Sequence, residues 1–325
     1  MKNFQLAEPQ NLKELMAFLA KADGSVAVLA GGTDLFSLLK DEILNPEVVI
    51  DLSRIKELAS INQDKAALRI GALTTINDLA THPVIQKNFP GLKQAAQAIG
   101  SPQLRNVGTV GGNLCQRPRC WYFRDPLFIC RKKGGSRCFA AQGRNKYHAL
   151  FGGGLCNIVH PSDLAPALIS LEARAKIASP AGEKELPLAD FFTLPSVSVR
   201  KENILQPGEI LTEIVLPNPS PRLRSTYYKL TERGSWDFAV VSVAAAAELQ
   251  GGTLTKAHFV LGGVAPVPWR LPAFEKRIEQ GKLTEKAAAA AAAEALKEAR
   301  PLAENAYKID LAAVLLTRAA LSLAA

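Results

Sequence analysis

The sequence has little that would place it in a membrane or direct it out of the cell. Its start, Met1-Lys2-Asn3-Phe4, leads into mixed polar and apolar residues, without the apolar core of a signal peptide or a run long enough to cross a bilayer. We therefore expect a soluble protein with no membrane association. Its own sequence predicts a cytoplasmic location, unless a signal-bearing partner exports it to the periplasm.

Several familiar catalytic and nucleotide-binding motifs are also absent. No G-x-G-x-x-G follows a strand, and there is no P-loop with its lysine. The four histidines show no metal-ligand spacing, and no Ser/His/Asp or paired-carboxylate arrangement stands out. The sequence therefore gives no support for a Rossmann dinucleotide site, a Walker-type site or a hydrolase.

Close cysteine pairs are absent, although the chain has five cysteines, all between residues 115 and 156. From the second cysteine onward, the spacings are ten, eight and eighteen residues. An odd number of cysteines in one loop, without a signal peptide, argues against a disulfide framework. Structural zinc usually shows at least one close cysteine pair, whereas an iron–sulfur cluster needs four thiolates. We therefore favour a cluster, with a zinc site or unligated thiols as the alternatives.

Acidic residues are scarce in the same segment. The net charge of the chain is +9, and residues 115–156 carry nine basic residues against one acid, Asp125. The rest of the chain has 30 basic and 29 acidic residues. The excess is therefore local to the cysteines, and aromatic residues for base stacking are scarce elsewhere, so we do not expect nucleic-acid binding. Nearby cations would offset the negative charge of a cluster.

Periodic apolar residues predict a mixture of helices and strands, as in an α+β protein. In the first part we expect helices at 12–20, 35–40, 91–99 and 164–171, and strands at 26–30 and 48–52. Ser101-Pro102 should stop the third of these helices. After the linker Pro217-Asn218-Pro219-Ser220-Pro221, we expect strands at 238–249 and 254–261 and helices at 273–280, 284–300 and 311–323.

Two glycine-rich turns could hold a phosphate. Ala30-Gly31-Gly32-Thr33-Asp34 follows a strand, and Gly108-Thr109-Val110-Gly111-Gly112-Asn113 lies some eighty residues later. Each alone is more often a structural turn, since turns commonly use glycine. Together, with bare backbone N–H groups beside Thr and Asn, they would suit a pyrophosphate held between two lobes.

Two isolated polar residues are weaker candidates. Asp163 precedes an apolar helix, where capping is the default role, although its carboxylate could also accept hydrogen bonds from the sugar hydroxyls of a nucleotide. Lys229 lies just past the linker and on its own would be a solvated lysine.

These segments, in this order, resemble the FAD-binding (medium) subunit of the molybdenum hydroxylases, the xanthine dehydrogenase and carbon monoxide dehydrogenase family. The resemblance covers nearly the whole chain. Beyond the two glycine turns, it includes Ser162-Asp163-Leu164-Ala165-Pro166, Gly208-Glu209-Ile210-Leu211, Asp237-Phe238-Ala239 and Gly262-Gly263-Val264-Ala265-Pro266.

The resemblance implies a fold and a set of FAD-binding residues. The expected fold is a two-lobed FAD domain of the vanillyl-alcohol-oxidase (PCMH) type at 1–220, with lobes 1–55 and 56–220, and a C-terminal α+β domain with an antiparallel sheet and helices at 221–325. Both glycine turns would hold the FAD pyrophosphate, Asp163 would bind the nucleotide end, and Leu211 and Lys229 would lie close to the flavin. The implied cofactor-binding residues are Leu29, Ala30, Gly31, Gly32, Thr33, Asp34, Leu35, Val107, Gly108, Thr109, Gly111, Gly112, Asn113, Asp163, Leu211 and Lys229.

Residues 115–157 form an insert that most medium subunits of this family lack. It is similar to the insert of 4-hydroxybenzoyl-CoA reductase and of periplasmic-type aldehyde oxidoreductases, whose medium subunit carries an additional four-iron cluster. The segment Arg117-Pro118-Arg119-Cys120-x-Tyr122-x-Arg124-Asp125 resembles the aldehyde oxidoreductase branch in particular. On that pattern, the ligands of a [4Fe-4S] cluster are Cys120, Cys130, Cys138 and Cys156, and Cys115 is not a ligand.

The function implied is electron transfer inside a larger, aldehyde-oxidising enzyme. Electrons would pass from a large molybdenum-cofactor subunit, through two-iron clusters on a small subunit, to this FAD and on to an external acceptor. The resemblance therefore implies a heterotrimer, or a dimer of heterotrimers, with substrate oxidation on another subunit. The alternatives are a stand-alone FAD oxidase or reductase of the same fold, and a zinc-stabilised binding module whose basic loop contacts an anionic partner.

Overall fold

A computed structural model describes residues 1–21, 23 and 25–325. These described residues form three β-sheets in order along the sequence, each packed with helices, which confirms the predicted α+β class. Within the part of the chain that the structure describes, no helix is long and apolar enough to cross a membrane.

The first sheet is small and parallel, with strand order β1-β3-β2. Its elements are β1 (Gln5–Ala7), α1 (Leu12–Leu19), β2 (Val26–Leu29), α2 (Leu35–Lys40) and β3 (Val48–Asp51). α1 begins after Asn11, whose side chain accepts a hydrogen bond from the N–H of Glu14 at 2.9 Å. Because β2 and β3 run parallel, their carboxyl ends share one edge of the sheet, and the first glycine turn lies at that edge.

The second sheet is antiparallel, with strand order β4-β5-β8-β6-β7. Its strands are β4 (Ile61–Gln63), β5 (Ala67–Gly71), β6 (Arg174–Ser179), β7 (Gly182–Pro187) and β8 (Ile210–Pro217). The helices between β5 and β6 are α3 (Ile76–Thr81), α4 (Pro83–Asn88), α5 (Pro90–Gln97), α6 (Pro102–Val107), α7 (Val110–Cys115), α8 (Trp121–Arg124) and α9 (Leu164–Ser170). Of these, α8 lies in the cysteine-bearing insert.

Ser101-Pro102 separates two helices, whereas the sequence predicted only an end. α5 stops at Gln97, but Pro102 is also the first residue of α6, and Ser101 Oγ accepts a hydrogen bond from the N–H of Leu104 at 3.4 Å. Proline suits the first turn of a helix because the N–H that it lacks would have no partner inside the helix. The unpredicted α6 leads the chain directly into the second glycine turn.

The third sheet is antiparallel, with strand order β12-β11-β10-β9. Its elements are β9 (Leu223–Leu230), β10 (Val241–Gln250), β11 (Thr253–Gly262), β12 (Trp269–Arg270), α10 (Pro272–Ile278), α11 (Glu285–Ala295) and α12 (Tyr307–Ala324). The alanine-rich helix α11 ends earlier than predicted and is followed by a 3₁₀ turn, Leu296–Glu298. Pro301 disfavours helical backbone at Arg300, the last residue of the predicted helix, but the end of α11 at Ala295 has no explanation in the sequence.

The third sheet packs directly on the second lobe. Tyr227, Ala244 and Val260 from this sheet are buried in the same hydrophobic core as the helices of the second lobe. The N–H of Gly91 on α5 donates to Ser225 Oγ on β9 at 3.1 Å, and a methyl group at Gly91 would lie 2.8 Å from the next backbone nitrogen of that strand. This close approach brings β9 beside α5, and Tyr227 and Lys229 on the same strand contact Asp163.

Candidate functional site

The two glycine turns lie against each other, although some eighty residues separate them in the sequence. A methyl group at Gly31 would lie 2.0 Å from the carbonyl oxygen of Val107 and 3.1 Å from the Cα of Gly108. Gly32 has a φ of +71°, which favours glycine. The predicted pair of turns is thus one continuous backbone surface, which only residues without side chains can form at this point.

The second turn is helical where the sequence predicted a turn. α7 begins at Val110, and Thr109 Oγ1 accepts a hydrogen bond from the N–H of Gly112 at 3.1 Å. The N–H of Gly111 donates to the carbonyl of Ala72 at 2.7 Å. These backbone donors are already paired within the protein, so the second turn offers mainly its close packing and the side chains of Thr109 and Asn113.

The first turn keeps its backbone donors available. No described residue accepts a hydrogen bond from the N–H groups of Gly31, Gly32 or Thr33. Successive unpaired N–H groups in a turn form a concave site for anions. The first turn is therefore the better candidate for binding a phosphate, and the second turn packs against it.

Asp163 does not cap α9. Ser162 does so instead, because its Oγ accepts a hydrogen bond from the N–H of Ala165 at 3.0 Å. The same hydroxyl group donates to Asn113 Oδ1 at 2.5 Å, which ties the second turn to the start of α9. The default interpretation of Asp163 as a helix cap is therefore wrong.

The carboxylate of Asp163 belongs to a buried polar network between the two domains. Tyr227 Oη donates to Oδ1 at 2.5 Å, and Lys229 Nζ donates to Oδ2 at 2.7 Å. Lys229 Nζ also donates to the carbonyl of Ala98 at 2.9 Å, and its side chain is only 7% exposed. Lys229 is thus not the solvated lysine that it would be if taken alone.

Burial governs the protonation of this network. Burial raises the pKa of Asp163, although the hydrogen bonds and charge of Lys229 and the hydroxyl group of Tyr227 act in the opposite direction. Burial and the neighbouring carboxylate together raise the pKa of Tyr227 well above its usual value. The site therefore holds one carboxyl group whose charge depends on a single nearby cation.

The residue after Leu211 is linked to the second turn by two backbone hydrogen bonds that pass through Ala72. Leu211 is buried on β8, where the carbonyl of the next residue, Thr212, accepts a hydrogen bond from the N–H of Ala72 at 2.9 Å. The carbonyl of Ala72 in turn accepts the hydrogen bond from Gly111. The structure thus brings Leu211 to the turn at the end of the second sheet.

Four of the five cysteines line one cavity in the insert. They are Cys120, Cys130, Cys138 and Cys156, the set that the resemblance implied. Cys115 lies on α7 and does not line this cavity, and burial raises the pKa of its thiol to about 12. The structure therefore separates Cys115 from the other four, although the sequence spacing alone could not.

Nitrogen donors approach two of the four sulfur atoms. His148 Nε2 lies 3.3 Å from Cys120 Sγ, and Asn157 Nδ2 donates to Cys138 Sγ at 3.5 Å. Burial raises the pKa of Cys120 to about 12 and that of Cys156 to about 11. Such thiols stay protonated at neutral pH unless a cation or a metal favours the thiolate.

The cavity differs from a site for a single ion. Among the described residues, no three His, Cys, Asp or Glu side chains converge closely enough to hold one metal ion. A tetrahedral zinc site has Zn–S distances of about 2.3 Å, so its sulfur atoms lie close together. The arrangement of these residues therefore shows neither a zinc site nor a cluster, and the choice between them depends on the donor set.

Five of the nine basic residues in the insert pair with carboxylates from outside it. The pairs are Arg117 and Lys132 with Glu202, Arg119 and Arg124 with Asp34, and Lys146 with Glu232. A large part of the basic charge thus bonds the insert to the rest of the chain. The sequence predicted that the basic residues would offset the negative charge of a cluster, but these five already pair with carboxylates of the protein.

Comparison with known families decides which group of proteins this is. A family model described as the FAD binding domain in molybdopterin dehydrogenase matches residues 2–219. The chain belongs to this family. A second model, the CO dehydrogenase flavoprotein C-terminal domain, matches residues 226–323. The family resemblance and the prediction of FAD as a cofactor are therefore confirmed, and the chain is a FAD-binding subunit of a molybdenum hydroxylase-type oxidoreductase.

Relatives and solved structures agree with this placement. The chain is 38% identical over 287 residues to the aldehyde oxidoreductase FAD-binding subunit PaoB of Escherichia coli (strain K12), with 87% of each chain covered. It is 28% identical over 321 residues to the carbon monoxide dehydrogenase medium chain of Hydrogenophaga pseudoflava, covering 97% of this chain and 95% of that one.

Among solved structures, carbon monoxide dehydrogenase from Hydrogenophaga pseudoflava, in a form that lacks the Mo-pyranopterin moiety, superposes with a TM-score of 0.79. The identity is 26%, and the match covers 100% of this chain and 99% of that chain. Quinoline 2-oxidoreductase from Pseudomonas putida 86 gives a TM-score of 0.77 at 25% identity, covering 100% and 98%. The predicted two-part fold of this FAD-binding subunit is therefore confirmed.

Sequence reasoning missed Tyr227 as a member of the site. A signal was available, because Tyr227 and Lys229 are two residues apart on the strand β9 and so point to the same face of the sheet. It also missed His148, Asn157 and Glu202. Their long-range contacts leave no local pattern in the sequence, so no comparable signal existed for them.

Proposed function

We propose that this FAD-binding subunit carries both FAD and a [4Fe-4S] cluster and transfers electrons within a heteromeric, molybdenum-dependent, aldehyde-oxidising enzyme. One observation carries the proposal further than family membership does. Four cysteines, spread over 37 residues from Cys120 to Cys156, line a single cavity in an insert that is bonded to the first glycine turn.

In this proposal the joined glycine turns hold the FAD pyrophosphate. The unpaired N–H groups of Gly31, Gly32 and Thr33 would bind its oxygen atoms, and Thr109 and Asn113 would face it from the second turn. The remaining predicted cofactor-binding residues, Leu29, Ala30, Asp34, Leu35, Val107, Gly108, Gly111 and Gly112, are neighbours of these five in the chain. The first turn supplies backbone donors, which bind a phosphate without adding a side-chain charge.

Asp163 would bind the nucleotide, and Leu211 and Lys229 would lie close to the flavin. The network gives Lys229 a fixed ammonium group, because Asp163 and the carbonyl of Ala98 hold Nζ. A fixed cation next to a flavin would favour its reduced, anionic form. Leu211 is apolar and buried, so it would help to exclude water from that side.

The donor set in the insert fits a cluster. Four thiols, an amide N–H at Cys138, an imidazole nitrogen at Cys120 and the buried Lys132 all line the cavity or contact its sulfur atoms. Hydrogen bonds to the sulfurs stabilise the negative charge of a cluster, whereas the charge of Lys132 is already paired with Glu202. When bound, the cluster would carry single electrons and FAD would exchange electrons in pairs or singly.

The expected partners are a large molybdenum-cofactor subunit and a small subunit with two-iron clusters. This part of the proposal rests on the names of relatives, which include a FAD-binding subunit of an aldehyde oxidoreductase and medium chains of carbon monoxide dehydrogenases. Substrate oxidation would then take place on another subunit. We also propose the division of the chain into the domains 1–220 and 221–325, and a cytoplasmic location unless a partner exports it.

A pair of cysteine variants tests the cluster. Anaerobically purified protein should contain one FAD and about four iron atoms per chain, with the electron paramagnetic resonance signal of a reduced [4Fe-4S] cluster. Cys130→Ser should remove the iron and the signal, while flavin still binds at excess FAD. Cys115→Ser is the matched control and should keep both, because Cys115 does not line the cavity. Iron-free wild-type protein, or loss of the signal in the control, would contradict the assignment.

A further inference from the structure

We infer that Asp34 is a positioning residue that couples the first glycine turn, called the FAD turn below, to the cysteine insert. An ordered insert would then strengthen FAD binding. The inference rests on the proposed sites for FAD and the cluster. It concerns a link between these sites that neither site requires by itself.

The carboxylate of Asp34 points away from its own turn and toward the insert. Its Oδ2 accepts a hydrogen bond from the backbone N–H of Arg117 at 2.7 Å. Its Oδ1 accepts from Arg124 Nη2 at 2.6 Å and lies 2.9 Å from Arg119 Nη2. Asp34 precedes α2 but makes no side-chain capping bond to it, and its side chain is 16% exposed. Three contacts to one loop therefore use both of its oxygen atoms.

The loop that Asp34 holds is the one that carries Cys120. Arg124 donates to the carbonyls of Pro118 and Arg117, at 2.8 and 3.1 Å, and so closes this loop on itself. It also donates to Ser37 Oγ on α2 at 2.9 Å. The first FAD turn and the first cysteine of the cavity are thus parts of one hydrogen-bonded unit.

A second carboxylate extends this unit to the far side of the cavity. Glu202 is 5% exposed and lies 2.5 Å from both Arg117 Nε and Lys132 Nζ. Lys132 lines the cysteine cavity, whereas the backbone of Arg117 binds Asp34. Charged contacts, buried or half-buried, therefore run without interruption from the first glycine turn to the cavity.

Such a connection makes the two sites thermodynamically coupled. Whatever orders the cysteine loop fixes the arginines that hold Asp34, and this holds the turn in its binding conformation. Linkage requires the effect to be reciprocal, so bound FAD must stabilise the loop to the same extent. Coupling between two sites in proteins typically changes affinity by about 5- to 150-fold.

The test is a thermodynamic cycle on the full-length chain, measured as the Kd for FAD by quenching of flavin fluorescence. In wild-type protein, removing the cluster with a chelator should weaken FAD binding by at least about fivefold. In Asp34→Asn, FAD binding should already be weaker, and removing the cluster should change it by less than about twofold. Asp41→Asn is the matched control, since Asp41 is exposed at the end of the same helix, and it should behave like wild type.

The outcomes separate the coupling from its alternatives. If Asp34→Asn weakens FAD binding equally with and without the cluster, Asp34 is a direct FAD ligand and the inference is wrong. If Asp34→Asn leaves FAD binding unchanged, the inference is also wrong. Arg124→Met changes the insert side alone and should reproduce the effect of Asp34→Asn, which guards against misfolding of one variant.

Failure of the proposed function would look different. Wild-type protein without iron or a cluster signal would remove the cluster, and the coupling would then be judged on the FAD affinity of Asp34→Asn and Arg124→Met against Asp41→Asn. Equal affinities for all three would overturn it. The spectrum of the cluster in Asp34→Asn gives a further readout, since an altered environment at Cys120 should shift the resonance signal.

Discussion

Replacing Lys229 by methionine should destabilise the protein more than any exposed lysine replacement, because it leaves the carboxylate of Asp163 buried without a cation. The two side chains are 7% and 5% exposed, and the Nζ–Oδ2 distance is 2.7 Å. Methionine keeps most of the length and volume of the lysine stem, so the packing should be largely preserved. Removing one partner of a buried ion pair costs about 3–5 kcal/mol.

The expected loss lies at the lower end of that range, about 3 kcal/mol near neutral pH. Tyr227 still donates one hydrogen bond to Asp163, and the carboxyl group can avoid its charge by taking up a proton. Burial has already raised the pKa of Asp163 above its unfolded value. A carboxyl group with a raised folded-state pKa contributes most stability below the unfolded pKa and loses it as the pH rises through the folded pKa. The defect of Lys229→Met should therefore shrink as the pH falls.

Urea unfolding of the FAD-free protein, followed by tryptophan fluorescence at about pH 6 and about pH 8.5, measures both effects. Lys184→Met is the control, because Lys184 is 48% exposed and pairs with Glu209 at 2.6 Å, and such pairs contribute less than about 1 kcal/mol. Adding Asp163→Asn to Lys229→Met should restore part of the stability. The reasoning is refuted if Lys229→Met costs no more than Lys184→Met, or if its cost does not depend on pH.

Two further replacements test the FAD turn and the C-terminal helix. Gly31→Ala should abolish flavin binding, measured from the absorbance of the purified protein, because the added methyl group would lie 2.0 Å from a carbonyl oxygen of the second turn. Gly234→Ala, where a methyl group meets nothing within 4 Å, should keep its flavin, and a yellow Gly31→Ala protein would contradict the packing argument. Lys308→Met should lower the free energy of unfolding by about 2–4 kcal/mol in a urea titration, because three backbone carbonyls, two of them in buried hydrogen bonds, lose a hydrogen bond from its side-chain nitrogen. The exposed Lys297→Met is its control, and equal midpoints for the two lysine variants would contradict the prediction.

The sequence predicted the parts of the fold that local patterns determine. Apolar periodicity located α1, α12 and the long strands β10 and β11 to within a few residues. It did not predict that the second glycine turn starts a helix, because the donors of that helix are satisfied by tertiary contacts such as Gly111 to Ala72. Helix boundaries that depend on partners distant in the chain leave no periodic signal.

For the site, the sequence yielded the residues more readily than their partners. The cysteine count and the family resemblance identified the four cysteines that line the cavity. Neither could show that Asp163 bonds to Tyr227, because 64 residues separate the two. The role of Asp34 was missed for the same reason, since the arginines that contact it lie more than 80 residues later in the chain.

The C-terminal domain contributes to both candidate cofactor sites, although a proline-rich linker precedes it. Lys229 on β9 binds the carboxylate of Asp163 at the candidate FAD site. Near the C-terminus of this domain, Asn305 Nδ2 donates to the carbonyls of His148 and Ala149 in the insert, at 3.0 and 3.1 Å. Lys308 Nζ donates to the carbonyl of His148 at 3.1 Å. The backbone that places an imidazole against a cysteine sulfur is thus held by residues more than 150 positions later. The linker therefore separates two units of the chain, but it does not separate their functions, since each candidate site requires both units.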